Sequence, residues 1–350
     1  MSKRVTMKSI AERAGVSVMT VSLALRNSAR ISDATKQRVL ELAKSMGFKP
    51  DPALGALIAY RNSQQSSSFL GTAVYLNNTD RPSIVEDASI HQNFFTGARE
   101  RGKELGYHVE EFWLNSKGMT RERASDILSV RGIQGVFVGP QPQAHESLQL
   151  DWSRFTGIRL GHTLESPQLH TVAANQYLAV NLCFRELCKL GYSRIGLAIS
   201  GEQDDRTQNR YTAAYLAMQL RLPEELPRIP VFIGKGSFDD FNHWMTQWQP
   251  DALIGPWEDT LEHLKLMKLR PGPDIGFAFP FIVSGPLQDF ACAGVEQTLI
   301  GEAAMSHLNS LLMQNEVGIP ERPHSLMLDP VWMPRKTVRR VGPEVRFRRL

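Results

Sequence analysis

The sequence predicts an α/β fold in two parts: an all-helical head of about fifty residues and a larger body of two parallel-sheet lobes. In the head, apolar residues recur at helical spacing between capping residues. From Phe69 onward, short β-rich runs alternate with helical stretches of about 10–15 residues, which indicates parallel βαβ units. These units come in two series, so we expect two Rossmann-like lobes facing each other across a cleft, where a ligand would bind.

Three helices are predicted in the head. Thr6 caps the first helix, which ends before Gly15, a residue suited to the left-handed conformation that closes a helix. Ser17 caps the second helix and Ser32 caps the third. A short helical candidate follows Pro50 and Pro52, and the polar run RNSQQSSS (61–68) is typical of a linker.

The first two helices carry the pattern of a helix-turn-helix. This motif needs a small residue where the helices touch, a turn glycine and an apolar anchor, which Ala11, Gly15 and Val16 supply. Val21 anchors the second helix. Hydroxyl and guanidinium groups around that helix suit phosphate oxygens of DNA. The residues concerned are Ser17, Thr20, Ser22, Arg26, Arg30 and Ser32.

Charge is distributed unevenly along the chain. The whole chain carries a formal net charge of +4, but residues 1–62 contain eleven Lys and Arg against four acids. The last sixteen residues contain seven cations and one acid, so the intervening body is acidic. A basic head on an acidic body favours a polyanion as the partner of the head, the alternative being a solvated basic face.

In the body, the predicted strands of the first series are FLGTAVYL, YHVEEFWL, GVFVGP and TGIRLG. Those of the second series are RIGLAI, PVFIG, DALIG and IGFAFPF. Helices are expected between them, among them one continuous helix from Asp205 to Leu220.

Several classes of protein are excluded by what the sequence lacks. No apolar run approaches the roughly 18 residues of a membrane span, and no apolar segment of a signal peptide follows Lys3 and Arg4. The three scattered cysteines fit a reduced protein, so we expect a cytoplasmic location. The phosphate-loop, HExxH, GxSxG and CxxC motifs are missing. We therefore expect neither an enzyme nor a metal or cofactor.

The segment TMKSIAERAGVSVMTVSLALRNSARIS (6–32) resembles the DNA-binding head of the lactose-repressor (LacI/GalR) family. The body carries further landmarks of that family in GARERGKELGY, IQGVFV, PDALIG and GVEQTLIGEAA. The resemblance implies a bacterial transcriptional repressor that binds a near-palindromic double-stranded DNA operator as a homodimer. Its body would be periplasmic-binding-protein-like, with a small-molecule effector between the lobes.

On this basis the chain divides into four segments. Residues 1–49 form the helix-turn-helix domain, 50–68 the hinge helix and linker, 69–334 the effector-binding and dimerisation body, and 335–350 a basic tail. We expect the tail to be a solvated terminus, the alternatives being contact with DNA or with the acidic body. A different class, a solute-binding protein with the same body fold and no regulatory DNA binding, has no use for the basic head.

The positions that carry base specificity in the family are Val18, Met19 and Leu23 here. Leu23 departs from the usual Arg or Lys, and a leucine offers no hydrogen bond to a guanine edge. We expect a mainly apolar reading face, unless Leu23 only packs inside the head. Leu57 aligns with the hinge leucine that wedges into the minor groove; its alternative role is to pair with the second subunit.

The predicted effector site departs from the family pattern as well. Arg210 aligns approximately with the effector-anchoring arginine, and Phe238 lies near an aromatic residue that stacks on ligands. Trp257–Glu258, Pro280–Phe281 and Gly161–His162 stand where the family has polar or acidic residues. Arg210, Phe238, Trp257 and Glu258 are therefore predicted to hold an atypical effector, an acid or a planar ligand. Phe238 and Trp257 are equally compatible with core positions.

The apolar reading face leads to a test. Replacing Leu23 by Ala should change the base preference at one position of each half-site, because the larger side chain contacts a thymine methyl there. Selection of binding sites from random DNA measures this preference. The same selected sequence for both proteins would mean that Leu23 does not contact bases.

Overall fold

The computed structural model describes residues 6–25, 31–46, 69–80, 83, 90–234, 237–256 and 259–348. The predicted hinge helix and linker (50–68) lie outside the described residues, as do Arg26, Arg30, Leu57, Trp257 and Glu258. The backbone of Ser22 is described, and its side chain is not.

The eight strands predicted from the sequence are found in their predicted order, together with six strands among the described residues that were not predicted. The described helices are Met7–Ala14 (α1), Val18–Leu25 (α2), Asp33–Ser45 (α3), Ile90–Glu104 (α4), Arg121–Val130 (α5), Gln176–Lys189 (α6), Gly201–Arg206 (α7), Arg210–Gln219 (α8), Phe238–Trp248 (α9), Asp259–Leu266 (α10) and Gln297–Met313 (α11). The described strands are Gly71–Asn77 (β1), Tyr107–Trp113 (β2), Gly135–Val138 (β3), Glu146–Ser147 (β4), Thr156–Leu160 (β5), Leu164–Ser166 (β6), His170–Ala174 (β7), Ile195–Ser200 (β8), Phe232–Gly234 (β9), Ala252–Ile254 (β10), Gly276–Phe279 (β11), Ala291–Gly294 (β12), Ser325–Leu328 (β13) and Val331–Met333 (β14).

The three helices of the head enclose a small core of their own. Ile10, Val21 and Val39, one from each helix, are fully buried against one another. Thr6 and Ser9 form a reciprocal capping box at the start of α1, and Gly15 ends that helix with a φ of 65°. A left-handed φ of this kind is cheap for glycine and strained for most other residues, which explains the glycine between α1 and α2.

The body consists of two six-stranded sheets. The first sheet has the order β13-β7-β5-β3-β1-β2 and is parallel throughout. The second has the order β14-β12-β11-β10-β8-β9 and is parallel except at β14, which runs antiparallel to β12. β4 and β6 form a separate parallel pair. The predicted pair of Rossmann-like lobes is confirmed.

Each lobe has helices on both faces of its sheet. In the first lobe, Ala73 and Tyr75 of β1 face α4 and α11, whereas Val74 and Leu76 face the α5 side. This alternation is the period of two expected of a strand that is buried on both faces. In the second lobe α6 and α8 cover one face of the sheet, and α9 and α10 cover the other.

The chain passes between the lobes at three places. It crosses between β7 and α6, between β12 and α11, and between β13 and β14. Helix α11 and strand β13 therefore complete the first lobe, although they follow most of the second lobe in sequence. Each lobe needs distant segments of the chain, and the crossings leave a cleft between the two lobes.

Helices α4 and α11 make the closest helix contact in the described body. A Cβ atom on Gly97 would lie 1.9 Å from the carbonyl oxygen of Thr298, and one on Gly301 would lie 2.1 Å from that of Phe94. Both glycines belong to the family landmarks GARERGKELGY and GVEQTLIGEAA. Their absent side chains let the two backbones touch.

One predicted helix is wrong in its extent. Instead of a single helix from Asp205 to Leu220, α7 ends at Arg206 and α8 begins at Arg210. Gln208 and Asn209 between them have φ values of 56° and 57°. Left-handed residues cannot continue a right-handed helix, so the chain turns between the two helices.

The expectation of a solvated tail is also wrong. The N–H groups of Val341 and Val345 donate to the carbonyls of Leu190 and Cys188, and the Phe347 ring packs near Phe184. Lys336 pairs with Asp289, and Arg348 pairs with Glu224. Contact with the acidic body, the alternative raised by the sequence, is what the structure shows for residues 335–348.

None of the helices within the described ranges has the length and apolar character that a membrane crossing requires.

Because the backbones of α4 and α11 touch, one added methyl group at Gly97 should lower the stability of the protein. Gly97→Ala should destabilise the protein by about 1–3 kcal/mol or more, because the new Cβ collides with a backbone carbonyl. Chemical denaturation measures the free energy of unfolding. Gly71→Ala is the matched control, since its Cβ would meet nothing nearer than 3.9 Å. Equal stability of the two variants would contradict the backbone contact.

Candidate nucleic-acid interface and inter-lobe cleft

The N-terminal end of α2 presents two large apolar side chains to solvent. Val18 is 45% exposed and Met19 is 65% exposed, although Val21 and Ala24 of the same helix are fully buried. Leu23 is half-buried, between these extremes. The predicted reading residues Val18 and Met19 thus share one exposed end of a helix that the core holds in place, as a major-groove helix requires.

Hydroxyl groups fix the starts of α2 and α3. The Ser17 Oγ accepts a hydrogen bond from the Thr20 N–H at 3.0 Å, and its hydroxyl lies 2.9 Å from the Thr20 hydroxyl. Ser32 and Thr35 repeat this arrangement at α3. Ser17 and Ser32 are therefore helix caps, and their predicted phosphate contacts remain predictions.

A cavity of about 470 Å³ lies between the two lobes of the body. Its wall is mostly apolar, with Phe94 and Ile300 from the first lobe and Phe281 and Ile282 from the second. The polar lining includes His162, Gln176 and Arg206. A concave, largely apolar cavity with a few convergent polar groups is the usual form of a small-molecule site.

Arg206 links the lobes at this cavity. From the end of α7 in the second lobe, its guanidinium donates to the carbonyl oxygens of Pro142 at 2.7 Å and Gln141 at 3.1 Å in the first. The Gln141 side chain is buried and is held by Asn78 and by the carbonyl of Gly139. Nearby, His145 of the first lobe lies 3.8 Å from Asp205 of the second.

The predicted effector residues occupy different places. Arg210 begins α8 beside the cavity, where its Nε is buried with no hydrogen-bond partner. Phe238 begins α9, and its ring lies 5.8 Å from the ring of His263. Phe238 and Arg210 are not among the described residues that line the cavity, so their effector contacts stay predictions.

Three residues of the cavity region were not singled out from the sequence. Arg206 and Tyr211 line the cavity, and Arg159 stands behind His162 on β5. Arg159 is 8% exposed, and its Nε donates to the Thr171 hydroxyl at 2.7 Å. A cation at the end of an otherwise apolar strand, TGIRLG, was the available signal for Arg159.

The histidine at this site is held in its neutral form. Burial lowers the pKa of His162 to about 4, and the nearby charges of Arg210 and Arg159 act in the same direction. Burial also lowers the pKa of both arginines, and the charge of Arg210 further lowers that of Arg159. The two guanidinium groups therefore oppose protonation of His162.

A helix-turn-helix head joined to a two-lobed body with a central cavity defines a class of DNA-binding proteins with a ligand cleft. Residues 6–51 match the family described as "Bacterial regulatory proteins, lacI family". The predicted DNA-binding head of this chain thus carries the domain of this family of bacterial regulatory proteins.

Individual relatives are distant. The chain is 24% identical over 145 residues to the HTH-type transcriptional regulator DegA of Bacillus subtilis (strain 168), covering 41% of this chain and 39% of DegA. It is 25% identical over 217 residues to the regulator GalR of Escherichia coli (strain K12), covering 59% of this chain and 58% of GalR. The aligned regions thus span less than two thirds of either relative.

The fold is also found in a solved structure, that of the lac repressor dimer bound to operator and the anti-inducer ONPF. It aligns with 96% of this chain and 99% of its own, at a TM-score of 0.52 and 16% sequence identity. At this identity the similarity concerns the fold.

Because Arg206 connects the two lobes, we expect its replacement to favour their open arrangement. Arg206→Met should increase the open population about tenfold, because hydrogen bonds from a charged group contribute about 1.5–3 kcal/mol and 1.4 kcal/mol is tenfold. Small-angle X-ray scattering measures the opening as a larger radius of gyration. Arg221→Met, an exposed arginine of the same lobe, is the control. Identical scattering from both variants would contradict a closing role for Arg206.

Proposed function

We propose that the protein is a sequence-specific DNA-binding transcriptional repressor, controlled by a small molecule in the cleft between its lobes. One observation carries the proposal: the exposed apolar end of α2, with Val18 and Met19, stands on a buried helix-turn-helix core. A solvated helix end has no structural need of such side chains. A reading helix in the major groove does, since apolar groups contact thymine methyls.

The protein acts as a homodimer on a near-palindromic operator in this proposal. A two-fold pair of heads places one α2 in each half-site, about one helical turn of DNA apart. The basic charge of residues 1–62 supplies the phosphate contacts that hold the heads in register. The proposal implies a cytoplasmic location, and the free, buried cysteines Cys183, Cys188 and Cys292 are compatible with a reducing compartment.

In this proposal, a ligand in the cleft controls DNA binding by the heads. A ligand that binds one relative position of the lobes better than another shifts their equilibrium. Since the head precedes the first lobe in the chain, a change in lobe position alters the spacing of the two heads in the dimer. Coupling of this kind is reciprocal, so operator DNA changes ligand affinity by the same factor.

A charge placed on the reading face tests the proposal. Met19→Glu should weaken operator binding at least tenfold, because its carboxylate faces base edges and phosphates in the groove. The operator is first selected from random DNA with the wild-type protein, and its affinity is then measured by fluorescence anisotropy.

The matched control is Leu40→Glu on α3, which makes the same change of charge at a side chain that is 41% exposed. Its operator affinity should stay within about threefold of wild type, because general electrostatic repulsion is all that this substitution adds. Failure of the wild-type protein to enrich any DNA sequence would contradict the proposed function. Equal losses for the two variants would contradict the assignment of the reading face.

A further inference from the structure

The inter-lobe cavity contains cationic and neutral donors without matching acids. His162, Gln176 and Arg206 contribute polar groups to its lining, and no aspartate or glutamate is among the lining residues that the structure describes. The other polar groups of the lining are neutral amides and hydroxyls, among them Asn175, Gln203 and Thr207, which both donate and accept hydrogen bonds. Because the described lining contains a cation and no carboxylate, it favours an anionic ligand over a cationic one.

Arg210 lies beside this cavity and is incompletely hydrogen-bonded. Its Nε is buried without a hydrogen-bond partner, and its Nη2 makes one long contact of 3.3 Å with the exposed Gln208. Asp204, a buried carboxylate of α7, accepts a hydrogen bond from the Thr212 N–H instead. An arginine with a desolvated, unpaired N–H is unfavourable unless an anion completes it.

Arg159 and His162 face Arg210 from the first lobe. Arg159 uses its N–H groups on neutral oxygens, the Thr171 hydroxyl and the Leu164 carbonyl, which leave its charge uncompensated. His162 is 6% exposed, and its Nε2 is buried with no partner in hydrogen-bond geometry. Gln176 of the second lobe lies beside this imidazole and interacts with it. Arg210 therefore shares the junction with an uncompensated cation and a buried imidazole of the first lobe.

We propose that the effector is a small organic anion. Its carboxylate or phosphate group would lie between Arg210 of the second lobe and His162 of the first, and its apolar part among Phe94, Phe281 and Ile300. The anion neutralises the repulsion between Arg159 and Arg210 and so stabilises the closed lobes. The inference rests on the proposed function only in naming this ligand the effector; anion binding itself does not depend on it.

The test uses two anions and their neutral counterparts on the full-length protein. Benzoate and phenyl phosphate are the anionic probes, and benzamide, benzyl alcohol and glucose are the neutral ones, all at equal ionic strength set with NaCl. Thermal unfolding and calorimetric titration are measured for wild type and for Arg210→Gln. Arg221→Gln, an exposed arginine of the same lobe, is the matched control.

At least one anion should raise the Tm of wild type and of Arg221→Gln by about 2–4 °C or more, and should leave Arg210→Gln unchanged. Stabilisation by benzoate alone assigns a carboxylate, and stabilisation by phenyl phosphate alone assigns a phosphate. Without ligand, Arg210→Gln should unfold at a higher temperature than wild type, because an uncompensated charge has been removed.

Three results would overturn the inference. The first is the same response of wild type and Arg210→Gln to every probe, including no response. The second is stabilisation of wild type by a neutral probe to the same extent as by the anions. The third is a ligand-free Arg210→Gln protein that is less stable than wild type, which would mean that Arg210 is already paired. Operator selection by the same wild-type preparation is scored separately, so failure of the proposed function is distinguishable from failure of anion binding.

Discussion

Two guanidinium groups without carboxylate partners, Arg159 in one lobe and Arg210 in the other, lie where the lobes of this protein meet, and its proposed control depends on them. Neither group contacts a carboxylate in the described structure, and both lie where burial makes their charges costly. The lobes nevertheless meet, because Arg206 donates two hydrogen bonds across the cleft to backbone carbonyls. The hydrogen bonds of Arg206 and the unfavourable approach of Arg159 and Arg210 therefore act on the same junction. A ligand that removes the repulsion changes the balance between open and closed lobes.

This balance can reach the rest of the molecule because each lobe is closely packed and is completed by distant segments of the chain. The first lobe is held by α11 and β13, which arrive from the far end of the chain and pack onto α4 and β7. The direct backbone contact through Gly97 and Gly301 leaves little room for internal rearrangement. In the second lobe, the tail residues Val341 and Val345 bond to the carbonyl groups of Leu190 and Cys188 at the end of α6. Relative motion of the lobes is then concentrated at the three crossings and in the cleft.

Much of the fold follows from local sequence patterns. The caps Thr6, Ser17 and Ser32 act on residues three positions away, so their roles were visible in the sequence. The two series of strands were likewise predictable, because a strand covered on both faces consists of apolar residues. Features that depend on contacts between distant parts of the chain could not be predicted in this way. The seven cations of the tail predicted a solvated terminus. Val345 and Phe347, which pack onto the second lobe, are too few to predict that contact from the sequence.

The candidate site shows the same division. Gly161–His162 and Pro280–Phe281 were recognised as departures from the family pattern, and all four residues line the cavity. The break between α7 and α8 was missed because helical patterning continues across it, although the left-handed residues Gln208 and Asn209 separate the two helices. The bridging role of Arg206 depends on carbonyl groups more than sixty residues away in the chain. No local pattern in the sequence records such a contact.

The central claim is that an anion in the cleft and operator DNA at the head are energetically coupled. The most direct measurement is a linkage cycle with whichever of benzoate or phenyl phosphate binds at Arg210. Operator affinity is measured with and without that anion, and anion affinity with and without operator. The account predicts the same factor in both directions, about 5–150-fold, as reciprocal coupling requires. Operator affinity that is unchanged by a saturating concentration of the anion would contradict it.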